Sequence, residues 1–297
     1  MTGDIHVIGA DIGGTHCTAA LIDLQQKRII SSTFQRRIID AGGSASEIIA
    51  AWSECILSAQ QNIDISCTCL AMPGPFDYEK GISLMKGQHK YESLYGLNVK
   101  ELLANELGVR PADIFMDNDA ACFLQGEVFA GAAVEHARDK VIGITLGTGL
   151  GSAVYSNGVA ANADWWCMPF KDGMAEDYLS ARWFLQRFES YTGNKLEGVK
   201  ELAQLTATSE QARLVFREFA VQLAQFLLEV IKQEKPQAVV LGGNISKAYP
   251  LFSDPLRDMV SRAYPTIKIK WSINGEEAPL LGAAGSWLLQ QQKKSTF

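Results

Sequence analysis

Two segments of this chain repeat one pattern: an apolar run, a glycine-rich turn, then a second apolar run. The first is Asp11-Ile12-Gly13-Gly14-Thr15, with apolar residues over 5–11 and alternating ones over 17–23. The second is Leu146-Gly147-Thr148-Gly149-Leu150-Gly151, flanked by apolar residues over 141–146 and 152–155. Glycines admit φ > 0 and bring backbone N–H groups close to a ligand. Successive N–H groups form a nest for an anion, and a neighbouring threonine hydroxyl adds a donor. A phosphate cradle is one reading of each segment, and a plain tight hairpin the other. The dinucleotide-binding fingerprint is rejected at Gly147-Thr148-Gly149, because a strand follows where that motif needs a helix. The Gly-Lys-Ser/Thr signature of phosphate-loop enzymes is absent.

The remaining periodicity is α/β. Residues 28–34 complete a three-strand antiparallel meander with 5–11 and 17–23. A helix opens at Ser44 or Ser46 and runs to about Gln61, with Ile48, Ile49, Trp52, Ile56 and Leu57 on one face. Strands are predicted over 65–72, 114–116, 141–146, 152–155, 238–241 and 267–273. Helices are predicted over 99–107, 120–130, 175–189, 209–232, 254–262 and 281–291. Asn157-Gly158 is a hairpin signal. Each half thus opens with strand, glycine turn, strand, and 297 residues suffice for two domains. A cleft between two such halves is a natural place to trap a small molecule. Gly242-Gly243, at the end of the buried run 238–241, would leave a flat gap for an adenine ring.

Composition narrows the partners. A net charge of −6 argues against a nucleic-acid-binding face. The six cysteines are scattered, which fits buried free thiols in a reducing compartment. Cys67 and Cys69 share a strand face. No run approaches the roughly 20 apolar residues that span a bilayer, and Asp4 and His6 interrupt any signal-peptide pattern. A cytoplasmic protein without membrane partners is expected.

Taken together, the motifs resemble those of the ROK family of bacterial sugar kinases and repressors, within the actin/hexokinase-like ATPases. The match spans essentially the whole chain. Asp11, Gly13, Gly14 and Thr15 resemble its first phosphate motif. Ala71-Met72-Pro73-Gly74-Pro75 resembles its Pro-Gly-Pro segment, and Asp117-Asn118-Asp119-Ala120, running into Gly126-Glu127, its catalytic segment. Gly147, Thr148 and Gly149 resemble the second phosphate motif, Leu241-Gly242-Gly243 the adenosine motif, and Pro279–285 the closing helix. The resemblance implies an α/β, two-domain, ribonuclease-H-like ATPase fold with a central cleft. Residues 1–119 with about 281–297 would form the smaller domain, and 120–280 the larger. It implies ATP-dependent phosphorylation of a hexose at O6, with Mg²⁺, in a homodimer. Asp119 would be the general base, Asn118 and Glu176 sugar ligands, and Asp11 would lie near Mg²⁺ and the phosphates. Read from the residues alone, Asp119 is equally an N-cap for the helix that follows it.

The sugar side departs from the family. Where its members carry Glu-x-Gly-His and a cysteine-rich zinc loop, this chain has Asp164, Trp166 and Cys167, and Lys171-Asp172 leads directly to Gly173. One cysteine cannot build a four-ligand zinc site, so no structural zinc is expected. Asp164 sets its carboxylate about 1.5 Å further back than a glutamate, and Cys167 is a weak hydrogen-bond partner beside a histidine. The sugar need not be glucose: an N-acetylhexosamine, mannose, fructose or allose fits the same chemistry. His89 is a further candidate sugar contact, or on the plainer reading an exposed loop histidine. A repressor would need a DNA-binding domain ahead of Asp11, and only ten residues precede it here. A weakened sugar-binding sensor is the other non-enzyme alternative, and retention of Asp119 with both phosphate motifs argues against it.

Overall fold

The computed structural model describes residues 5–87 and 90–294. Strand β1 (His6–Ile12) turns through residues 13–15 into the antiparallel β2 (His16–Asp23). The third strand of the predicted meander is broken. In place of one strand over 28–34, the chain forms β3 (Arg28–Ile29), a 3₁₀ turn (Ser31–Thr33) and β4 (Gln35–Ile38), and both strands pair with β2. Buried Thr33 explains the break. Its hydroxyl accepts from Leu21 N at 2.9 Å and donates to Ile30 O at 2.7 Å, taking a ladder partner's place.

Helix α1 (Ala45–Gln60) is N-capped by Ser44 in a capping box with Glu47, and buries Ile48, Ile49, Trp52, Cys55 and Ile56. Strand β5 (Thr68–Met72) runs parallel to β1. A short hairpin of β6 (Phe76–Asp77) and β7 (Ile82–Ser83) follows. Helix α2 (Val99–Leu107) then ends on left-handed Gly108, and β8 (Ile114–Asn118) pairs parallel with β5. The first sheet has the order β3-β2-β1-β5-β8, with β4 beside β2.

Helix α3 (Asp119–Ala130) leads to β9 (Val141–Leu146), β10 (Leu150–Ser156) and β11 (Val159–Asn162). Asn157 and Gly158 both take positive φ in the β10–β11 turn, as an Asn-Gly hairpin requires. The hairpin β12 (Pro169–Phe170) and β13 (Gly173–Met174) precedes α4 (Ala175–Tyr178) and α5 (Ala181–Thr192). These two replace the single helix predicted over 175–189. Extended Ser180 interrupts it, and the released Ala181 N–H donates to Gly147 O at 2.8 Å. Helix α6 (Val199–Leu205) has no counterpart in the sequence reading.

The long α7 (Glu210–Glu234) buries the predicted stripe Phe216, Phe219, Leu223, Phe226, Leu227 and Val230. The chain closes with β14 (Ala238–Gly242), α8 (Ser253–Ala263), β15 (Lys268–Trp271) and α9 (Ala278–Lys294). The second sheet has the order β11-β10-β9-β14-β15, with β14 parallel to β9 and β15.

Strand alternation decides what reaches the site. On β1, Ile8, Ala10 and Ile12 join the core with α1, while Val7 faces α9 and Gly9 and Asp11 follow on that side. A Cβ on Gly9 would stand 2.8 Å from Leu280 O, so α9 crosses directly on backbone. On β9, Ile142, Ile144 and Leu146 enter the core with α7, and Val141, Gly143 and Thr145 face α3. Helices α3 and α9 press together backbone to backbone: a Cβ on Gly126 would lie 2.0 Å from Ala278 O, and one on Gly282 1.7 Å from Cys122 O.

Among the described residues no helix is long and apolar enough to cross a membrane. All six cysteines are free, with Cys17, Cys55, Cys67, Cys69 and Cys122 buried and Cys167 exposed.

Candidate active site

A cleft of about 460 Å³ opens at the strand ends, lined by Asp11, Asp119, Thr145 and Gly243 and extending past Asn244 to Tyr249 and Trp271. Asp11 arrives because it sits near the end of β1 on the α9 face. Asp119 arrives because β8 ends at Asn118 and α3 begins at once. Asn118 is the N-cap: its Oδ1 accepts from Ala120 N at 3.0 Å and Ala121 N at 3.1 Å, and its Nδ2 donates to the Tyr78 hydroxyl at 3.1 Å. The capping role that the sequence offered to Asp119 therefore falls to Asn118. Asp119 occupies the first helical position, where its Oδ1 accepts from Ala120 N at 2.8 Å.

Both carboxyls are perturbed. Burial pushes Asp11 up to about 7, the nearby charges of Asp119 and Glu276 push the same way, and Arg36 pulls it back. Burial also raises Asp119 above the usual carboxylate range, against the pull of the Ala120 N–H and the Lys90 ammonium. Half-buried carboxyls with shifted proton affinity beside a cleft are the expected signature of acid–base work.

The two glycine turns are three-residue hairpin loops next to Asp11 and Thr145. Gly13 N donates to His16 O at 2.8 Å and Gly147 N to Gly149 O at 3.0 Å, while Gly14, Thr15 and Thr148 are exposed. None of Gly13, Gly14, Gly147 and Gly149 has positive φ, contrary to the conformational argument from sequence. At Gly149 the requirement is room, since a Cβ would stand 2.5 Å from Glu176 Oε2. That oxygen accepts from Leu150 N at 2.9 Å, so Glu176 braces the second turn.

The Gly242-Gly243 gap is likewise filled by the protein. The Phe123 ring lies 2.4 Å from where a Gly242 Cβ would be, and Gly243, at φ +84°, packs on the Leu146 backbone. The open space lies beyond, against Tyr249 and Trp271, whose rings stack at 4.9 Å.

Asp164 and Cys167 stand elsewhere, in an exposed turn. Asp164 has φ +52°; its Oδ1 accepts from Asn162 Nδ2 at 2.9 Å, and the Cys167 thiol donates to Asp164 O at 3.2 Å. Neither lines the cleft. His89 lies outside the described residues.

Sequence reasoning missed Thr145, Lys247, Trp271 and Glu276. Thr145 carried a usable signal, since it stands two residues before the second turn as Asp11 does before the first. The others are separated along the chain, and only the fold brings them together. Buried Glu127 explains part of this. It accepts from Ser272 Oγ at 2.6 Å, Asn274 N at 3.1 Å and Ala132 N at 2.7 Å, fixing the loop ahead of Glu276.

The model of the ROK family matches residues 7–291. The chain belongs to the ROK family. Among its relatives, the glucokinase of Thermotoga maritima is 26% identical, with 94% of this chain and 96% of that protein covered. The N-acetyl-D-glucosamine kinase of Escherichia coli K12 is 24% identical, with 93% and 97% covered. Among solved structures, a ROK family glucokinase from Streptomyces griseus in complex with glucose and AMPPNP superposes with a TM-score of 0.75 at 23% identity, over 94% of this chain and 98% of that one. The architecture of this ROK protein is the actin/hexokinase-like α/β fold.

Proposed function

We propose that this ROK protein is a kinase that transfers the γ-phosphoryl group of ATP to the primary hydroxyl of a hexose, glucose or a close relative. One observation carries the reading. Asp119 is set in the first turn of α3, relieved of capping by Asn118, and faces a cleft it shares with Asp11 beside both glycine turns. Phosphoryl transfer asks mainly for positioning and charge neutralisation, with modest help from a base. Asp119 is the base in this reading: as carboxylate it accepts the proton of the attacking hydroxyl. The N–H groups of 14–15 and 148–149, not engaged in closing the turns as those of Gly13 and Gly147 are, hold phosphate oxygens, and the Tyr249–Trp271 end of the cleft takes the adenine.

Mg²⁺ takes hard oxygen donors, usually one or two carboxylates plus substrate phosphates. The carboxyls of Asp11 and Asp119 fit that preference, and Asp11 would hold the ion. When bound, it neutralises charge on the phosphates. Asn118 and Glu176 are the proposed sugar contacts, reaching it in addition to the bonds they make to Ala120 N, Ala121 N and Tyr78 Oη and to Leu150 N. We further assign 1–119 with about 281–297 to one domain and 120–280 to the other. The grouping of β1 to β5 and β8 in one large sheet, and of β9 to β11, β14 and β15 in the other, supports this.

An N-acetylhexosamine is the second reading, favoured by the 24% identical N-acetyl-D-glucosamine kinase. ADP release measured over a panel of hexoses and amino sugars decides between them. Turnover with one sugar class is expected, and no ADP release with any of them would refute the kinase assignment.

A further inference from the structure

Three charged side chains meet at the rim of the cleft. Glu276 stands in the 3₁₀ turn Gly275–Glu277 just ahead of α9 and lines the cleft with Asp11 and Asp119. One of its carboxylate oxygens pairs with the Arg36 guanidinium, and the other accepts from Lys247 Nζ at 3.3 Å. The two cations come from different parts of the fold, one on the first sheet and one just after a strand of the second. Arg36 belongs to β4, and Lys247 to the 3₁₀ segment Ile245–Leu251 that follows β14.

Strand register puts Arg36 on the site face. Asp11 is opposite Thr18 and Thr18 is opposite Arg36, so the three side chains share one face of the first sheet. Lys247 lines the cleft itself. The charges of Arg36 and Glu276 are both felt at Asp11, in opposite senses.

As a contribution to stability this triad is weak. The side chains of Arg36, Glu276 and Lys247 are 44%, 46% and 63% exposed, and pairs so exposed contribute little. As an electrostatic arrangement it is more telling. A single carboxylate is shared by two cations that reach in from both sides of a cleft holding two other carboxyls. A triphosphate offers more charge and more acceptor oxygens than one carboxylate, and charge-assisted bonds to phosphate are strong.

We propose that Arg36 and Lys247 are ligands for the phosphates of the nucleotide donor, and that Glu276 occupies them until the donor displaces it. The proposal rests on the kinase reading and adds donor-binding residues outside the glycine turns. Because Arg36 lies on the first sheet and Lys247 follows a strand of the second, the bound phosphates bridge the two. After transfer the diphosphate has fewer oxygens with which to compete, and Glu276 regains a partner as product leaves.

Calorimetric titration of MgATP and of adenosine into the whole protein tests this. Lys247→Ala and Arg36→Ala are each expected to weaken MgATP about tenfold, the loss of one hydrogen bond to a charged group. Adenosine affinity should stay within about twofold. Glu276→Gln, which keeps shape and removes the competing charge, is expected to tighten MgATP several-fold, a gain that misfolding cannot imitate. An unchanged ratio of MgATP to adenosine affinity in all three variants would overturn the clamp and leave the kinase reading standing. Wild-type protein that binds neither ligand would overturn both.

Discussion

Asp119 is held in the first turn of α3, half-buried, with its proton affinity raised and its carboxyl facing a shared cleft. Asp164 is held in an exposed turn, in a left-handed conformation, with its carboxyl turned back on Asn162 two residues away. Both are aspartates in segments that resemble functional motifs, yet their surroundings differ. A neighbouring residue, Asn118, caps the helix through Ala120 N and Ala121 N, and Asp119 keeps a single local bond, from Ala120 N. At Asp164 the side chain itself satisfies the turn. A carboxyl set beside a shared cleft is placed for chemistry, and one turned back on its own loop braces that turn.

The largest expected effect tests the first member of this pair. Asp119→Asn keeps the size and the acceptor for Ala120 N but removes the charge. Turnover should fall by about 10²–10⁴, the usual contribution of a general base, while MgATP affinity changes much less. Steady-state kinetics beside calorimetry reads both, and near-normal turnover would remove the distinction between the two aspartates.

The next effect sharpens what burial does in the cleft. Asp11, at about 7, holds its proton more tightly folded than unfolded, where 3.8 applies. A carboxyl whose folded value is raised adds stability at low pH, and that stability is lost as pH rises toward 7. The groups facing it are Asp119 and Glu276, which add to the shift, and Arg36, which opposes it. The ligand-free wild type should therefore lose on the order of 2–3 kcal/mol from this group between pH 5 and pH 8. Asp11→Asn should lose correspondingly less. Chemical denaturation at both pH values checks this, and parallel pH dependence in the two proteins would show that Asp11 is not desolvated.

How far the sequence could reveal this site follows from how local each determinant is. Asp11, Asp119 and the glycine turns are legible because a strand end, a turn and a helix start lie within a few residues of one another. The limits of α2 and β9 coincide with their predicted limits, Val99–Leu107 and Val141–Leu146, because Gly108 stops one and a glycine turn the other. The break at Thr33 and the split at Ser180 are illegible, since each depends on a partner far along the chain, Leu21 N in one case and Gly147 O in the other. Glu276 has no local signal at all. It becomes part of the cleft only because Glu127, 149 positions earlier, fixes the loop before it.

The smallest expected effect lies at Cys167. The turn that carries it is anchored by its neighbour: Trp165 N donates to Ser152 Oγ at 2.9 Å, and the Trp165 ring packs edge-on against Phe226 at 6.4 Å. Cys167 adds only a thiol bond to Asp164 O, from an exposed position. Substitution at such a site changes stability by no more than about 0.5 kcal/mol. Cys167→Ala should also leave the ratio of kcat/KM for glucose over N-acetylglucosamine within about twofold, because the thiol does not line the cleft. Cys167→His restores the residue type that the family resemblance would place there, and makes the stricter test. Should the turn swing over the sugar in the working enzyme, an imidazole at 167 would reach a hydroxyl that the thiol serves poorly. The ratio would then move by about tenfold, equivalent to ~1.4 kcal/mol. A shift of that size in a variant with normal melting temperature would put this turn in the site and end the contrast with Asp119. An unchanged ratio would leave sugar selection to the residues around the cleft itself.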